Sequence, residues 1–161
     1  MLIVITKDQE IMEWASSPES GAGAWGSLKQ LSAGTQRTAD AQLLEFLSGV
    51  AKDEPLCITG HGNDTEVGDE GSGRPNWTWT HDHLASLLGE LVDAYRGPVL
   101  MEVCAEKVTD FAAHLVLSLE SKRLLKGVWV YGYNKSISTR HPFPKPESLA
   151  RNVELYGKLV E

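Results

Sequence analysis

Two apolar runs in the chain each lead into a side chain that can do proton or nucleophile chemistry. Leu56-Cys57-Ile58-Thr59-Gly60 runs into His61-Gly62, and Val99-Leu100-Met101-Glu102-Val103 runs into Cys104. A thiol is nucleophilic once it has lost its proton, and an imidazole can take that proton, so the two together are a nucleophile and its base. In a parallel α/β sheet, residues just past the carboxyl ends of neighbouring strands converge on one crevice. The two runs therefore predict Cys104 and His61 at one rim of a sheet. Cys57, in mid-strand, is expected to pack as a small apolar residue, because nothing there would keep a thiolate solvated.

The elements that must hold these residues alternate between strand and helix. A strand is predicted over 2–6, a short helix over 9–16, and a Gly/Ser/Pro-rich loop over 17–26. Residues 27–31 form a weak second strand, and Thr38 is read as the cap of a helix running to about Lys52. The polar stretch 62–76 is expected to be a surface loop beside His61, and Thr80 to cap a helix through about Tyr95. Gly97-Pro98 opens the strand that leads to Cys104, a helix striped by Phe111, Leu115 and Leu119 follows, and 127–131 is a further strand. Past Pro142, Pro144 and Pro146, a final helix is expected from Glu147 to about Val160. Repeated strand–helix units imply an α/β fold. The expected form is a three-layer α/β/α sandwich on a mostly parallel sheet of about five strands.

Composition narrows the function classes. At 161 residues, 42% hydrophobic and 23% charged, the chain suits one domain over 1–161, with its core in 1–134 and the Pro-containing segment and last helix in 135–161. A net charge of -7 leaves no basic stripe for a phosphate backbone, so nucleic acid is not an expected partner. The first residues lack a basic leader, and no apolar run is long enough to span a membrane. A soluble, cytoplasmic protein is expected, with leaderless export left open. Two cysteines without CxxC spacing support neither a disulfide framework nor a structural zinc site.

A strand ending in His-Gly, a helix, a strand ending in Glu-x-Cys, then a helix and a strand closing on Gly132-Tyr133-Asn134 resembles the caspase-like cysteine peptidases. That clan includes caspases, metacaspases, legumains, gingipains and clostripain. Gly60-His61-Gly62 is similar to its histidine motif, and Glu102-Val103-Cys104-Ala105-Glu106 to the Glu-Ala-Cys-Glu signature of legumains. The resemblance implies a cysteine endopeptidase working through an acyl-thioester, with Cys104 as nucleophile and His61 as base. Backbone N–H groups of Gly62 and Cys104 would form the oxyanion hole, and Glu102 and Asn134 would contact substrate. Glu102 stands where an acidic residue helps line the specificity pocket, so a basic residue or Asn before the cleaved bond is implied. The partner would be a peptide or protein substrate, with no cofactor, no metal and no membrane, and a homodimer through a sheet edge is possible. The chain departs from the pattern in the Ala105-Glu106-Lys107 that follows the cysteine. Pocket walls that the family builds from further strands would come from 136–146, from a partner chain, or be missing.

Other readings stand beside this one. A catalytically inactive binding, scaffold or effector module on the same fold accounts for the same pattern, since fold does not fix function. His61 can merely stabilise a turn, and Glu102 can be an exposed or salt-bridged strand residue. His81-Asp82-His83 offers metal-ligating types, but residues two apart on a helix face different ways, and Asp82 is explained by the helix dipole. Trp77 and Trp79 are expected to pack, and His141, in a polar tail, to be solvated. The Gly-rich stretch 68–73 lacks a phosphate-binding Lys.

Overall fold

The computed structural model describes residues 1–69, 76–103 and 111–161. Its frame is a six-stranded sheet in the order β2-β1-β3-β7-β8-β9. The strands are β1 (Leu2–Val4), β2 (Leu28–Gln30), β3 (Leu56–Thr59), β7 (Val99–Glu102), β8 (Trp129–Gly132) and β9 (Tyr156–Leu159). The first five run parallel, and β9 is antiparallel to β8. Strands buried on both faces read as continuous apolar runs, as the central β1, β3 and the first three residues of β7 do, whereas the edge strands β2 and β9 are mostly exposed or half-buried and carry Lys29 and Lys158. Along β1, Ile3 joins one apolar cluster with α2 (Gln36–Ser48), α3 (His81–Leu88) and α4 (Phe111–Ser121), whereas Leu2 and Val4 join another with α1 (Gln9–Ser16), Trp25 and Phe143.

Several elements differ from the sequence reading. The helix expected over 147–160 is instead a 3-10 turn, Pro146–Arg151, followed by β9. The free edge of β8 offers a full ladder of backbone hydrogen bonds, whereas Gly157 would cost a helix about 1 kcal/mol. Gly157 also lets the Tyr131 ring close over β9, since a Cβ there would lie 2.5 Å from Tyr131 Cε1. The sheet therefore has a sixth strand. α2 starts earlier than expected: Thr35 is its N-cap, and Thr38 completes a capping box three residues in. α3 stops at Leu88, where Gly89 lies against Leu124, and the chain then turns to bring Leu91 and Tyr95 into the core. Part of the stretch read as a surface loop, 62–76, belongs to a small antiparallel sheet of β4 (His61–Gly62), β5 (Glu66–Gly68) and β6 (Thr78–Thr80), with β5 inside that stretch and β6 beyond it. Trp77 and Trp79 anchor it, both fully buried, with the Trp77 indole N–H on Ile5 O at 2.8 Å and that of Trp79 on Asp40 Oδ1 at 2.7 Å.

Gly60 joins β3 to this small sheet at a point of close approach. A Cβ there would lie 2.6 Å from Ile5 Cγ1 and 3.3 Å from Gly68 O. Gly60→Ala is expected to destabilise the fold by about 1–3 kcal/mol, the usual range for overpacking, read as a lower denaturation midpoint with an unchanged urea m-value.

Candidate functional site

β1, β3, β7 and β8 run parallel and end on one side of the sheet, where residues at the ends of β3 and β7 line a cleft of about 200 Å³. Among the described residues its walls include Thr59, His61, Gly62 and Glu102 from the strand ends, Ile11 and Trp14 from α1, and Ile137, Ser138, Thr139, His141 and Phe143 from the segment after β8. Register sets the strand side. Thr59 faces Glu102 across the β3–β7 ladder, and the Thr59 hydroxyl donates to Glu102 O at 2.9 Å. His61 and Cys104 each stand two residues beyond one member of that pair. Cys104 itself lies outside the described residues, as do Ala105, Glu106 and Lys107.

His61 is partly exposed and held by a residue that the sequence reading passed over. Its Nε2 lies 2.6 Å from Asp8 Oδ2, so Nε2–H donating to the carboxylate leaves the Nδ1 lone pair as the basic site. Asp8 is itself fixed. As the N-cap of α1 it accepts the Glu10 N–H on Oδ1 at 2.9 Å, and its own N–H donates to Thr6 Oγ1 at 3.0 Å. Thr6 in turn donates to buried Asp69 at 2.8 Å, which also accepts the Lys7 N–H at 2.7 Å. The available signal was an Asp one residue before a helix and just past the end of β1; only the β1–β3 pairing brings it to the histidine.

Glu102 is 4% exposed, so the reading of it as an exposed strand residue fails, while both the salt bridge and the cleft position hold. Its Oε1 lies 2.8 Å from His141 Nδ1. Its Oε2 and the Tyr133 hydroxyl are both buried without a hydrogen-bond partner among the described residues. Burial pushes the Glu102 carboxyl above its ordinary range, against the lowering effect of His141. His141, expected to be solvated, is instead packed into the cleft wall. Glu102 lies on its Nδ1 side, Glu154 Oε2 lies 3.3 Å from its Nε2, and the Tyr133 ring meets it edge-on at 5.0 Å. The hydrogen bond to Glu102 raises its pKa against the opposing effect of burial. Cleft walls do come from 136–146, one of the sources the sequence left open.

The remaining expected residues divide. Gly62 lines the cleft, whereas Asn134 is exposed past the end of β8 and is not among the lining residues. Cys57 is fully buried, with its thiol pKa raised well above normal by burial and then by the Glu102 charge, which fits its reading as packing. His81 bonds the Ser118 hydroxyl at 2.7 Å, His83 pairs with Asp40 at 3.3 Å, and Asp82 pairs with Lys122 at 3.4 Å. Among the described residues no group of three or more His, Cys, Asp or Glu side chains is placed to hold a metal ion, and no helix is long and apolar enough to cross a membrane. No protein-family model matches the chain, and no curated protein is significantly similar to it.

Asp8 serves two partners through two oxygens, so its variants should separate the roles. Asp8→Asn keeps a capping oxygen and is expected to unfold near the wild-type midpoint, whereas Asp8→Ala should lose about 1 kcal/mol. In ¹⁵N spectra of neutral His61, the wild type should show Nε2 protonated, and both variants should show a mixture of tautomers.

Proposed function

We propose that this protein is a cysteine endopeptidase of caspase-like type, a three-layer α/β/α domain in which Cys104 and His61 cleave a peptide bond. The observation that carries the reading is the imidazole at the sheet rim, tautomer fixed from behind by Asp8, at the same offset from the Thr59–Glu102 register pair as the cysteine. Neighbouring strands lie about 4.8 Å apart, which brings side chains leaving adjacent strand ends within reach of one substrate atom.

In this mechanism His61 takes the Cys104 proton, and the thiolate sulfur attacks the scissile carbonyl carbon. The carbonyl π electrons move to oxygen, where the Gly62 and Cys104 N–H groups stabilise the charge. Collapse expels the amine, which receives its proton from the His61 imidazolium, and leaves an acyl-thioester. His61 then takes a proton from water as it attacks the thioester, and the acid product departs with the thiol restored. Asp8 is a positioning residue that keeps Nδ1 as the basic nitrogen. Glu102 lines the cleft with its buried Oε2 unpartnered among the described residues, which supports a basic residue or Asn before the cleaved bond.

The test is covalent labelling of Cys104 by a peptidyl acyloxymethyl ketone carrying Arg or Asn at the recognition position. Wild-type protein is expected to label near neutral pH, His61→Ala to slow labelling by about 10²–10⁴-fold, and Asp8→Asn to slow it by about tenfold or more. Reaction no faster than that of a free thiol, unchanged by His61→Ala, would instead identify a binding or scaffold module.

A further inference from the structure

The segment 137–143 lies across the candidate pocket with unequal attachments at its two ends. At Phe143 it is tied by backbone, since the Phe143 N–H donates to Ser20 O at 2.8 Å and the Trp25 indole N–H to Pro144 O at 2.9 Å. Phe143 is buried, and Gly21 gives it room, because a Cβ there would lie 2.7 Å from Phe143 O. The cleft end is held differently. Ser138 and Arg140 are exposed and Ile137 and Thr139 half-buried; among the described residues this part is held by Ile137 against the apolar cluster of Leu2 and Val4, by Arg140 over the Trp14 ring, and by the only ion pairs it makes there, at His141. There the imidazole lies between two carboxylates, and the carbonyl of the same residue accepts the Trp14 indole N–H at 2.9 Å.

The imidazole also occupies the place at Glu102 that a basic ligand would need. One carboxylate oxygen is already engaged by Nδ1, and a protonated ring supplies the positive charge that a lysine or arginine side chain would bring. We propose that His141 is a pH-operated latch on this pocket: as imidazolium it pins segment 137–141 over Glu102 by bridging to Glu154, and on losing its proton it lets that segment swing aside to admit a basic side chain. The sign follows from the hydrogen-bond inventory. Neutral imidazole can still donate from Nδ1 to Glu102, but its Nε2 then presents a lone pair to Glu154, so one of the two attachments becomes repulsive.

The groups facing the ring all bear on this. Glu102 reaches it from β7, Glu154 from the turn before β9, and Tyr133 from the end of β8. Across the cleft are His61 and Asp8, and beside it on the segment Arg140 lies 5.1 Å over the Trp14 ring. Lys135 also reaches Glu154, at 3.6 Å, and is the competing cation for that carboxylate. The carboxylates favour the charged ring, and His141 pKa is raised, so the latch is shut in mildly acid solution and opens as pH climbs through that raised value.

The role of the latch in admitting substrate rests on the peptidase reading, whereas its opening is a property of the protein alone. Amide hydrogen exchange of residues 137–141, corrected for the intrinsic pH dependence of exchange, tests the opening between about pH 6 and pH 8.5, a range that spans histidine titration. Protection in the wild type should fall by about twofold to fivefold over that range, the size that losing one partly exposed ion pair allows. In His141→Gln, and independently in Glu154→Gln at an exposed carboxylate, the pH dependence should be lost or much reduced. Flat protection in the wild type, or the same fall in both variants, would overturn the latch. A second readout is the ratio of Cys104 labelling by a peptidyl-arginyl ketone to labelling by iodoacetamide. It should rise with pH in the wild type and stay level in His141→Gln; a level ratio in the wild type would overturn the gating of substrate. If Cys104 labels no faster than a free thiol while protection still falls on schedule, the peptidase reading fails and the latch stands.

Discussion

The parallel pairing of β3 with β7, in the register that sets Thr59 opposite Glu102, is the constraint on which the site depends. It puts the carboxyl ends of two central strands level, and the Thr59 hydroxyl on Glu102 O pins that level with a buried hydrogen bond. A shift of one residue would turn every β7 side chain to the opposite face, sending Glu102 away from the cleft and Met101 toward it. The apolar burial of Leu56, Ile58, Val99 and Met101 against the helices resists such a shift. Core packing therefore fixes where the polar groups emerge.

Around the cleft, charge is handled in pairs. Asp8 faces His61 on one side, and Glu102 with Glu154 faces His141 on the other. The two pairs differ in environment. Asp8 is also committed to a helix terminus and stays partly exposed, so its carboxylate is a stable anchor for the imidazole. Glu102 is buried, and leaving it charged without a partner would cost several kcal/mol; His141 offsets that cost. The same cleft thus contains one imidazole that is engaged at one nitrogen among the described residues and one that is engaged at both.

Much of the frame was legible in the sequence, because the strands β1, β3, β7 and β8 are short apolar runs and the helices α2 and α4 carry regular apolar stripes. The rim position of His61 followed from those runs; that of Cys104 lies outside the described residues. What escaped were features decided by partners distant in sequence. β9 exists because β8 has an edge to fill, and the small sheet around Trp77 and Trp79 exists because two indoles find acceptors on Ile5 and Asp40. His141 sits among Arg, Pro and Lys in a stretch that reads as solvated, and nothing local signals that Glu102, 39 residues earlier, will draw it in. Asp8 was passed over: it stands one residue before α1, where a cap belongs, but its second oxygen is informative only because β1 lies beside β3. Asn134, which only the resemblance made a substrate contact, is exposed and not among the residues that line the cleft.

The most direct measurement is the separation between Cys104 Sγ and His61 Nδ1 in a crystal structure of the protein. A nucleophile and base poised in an unliganded enzyme should lie within about 4–6 Å of each other across solvent, with Nε2 still on Asp8. A sulfur buried in the core, or facing away from the imidazole at more than about twice that distance, would contradict a shared catalytic role.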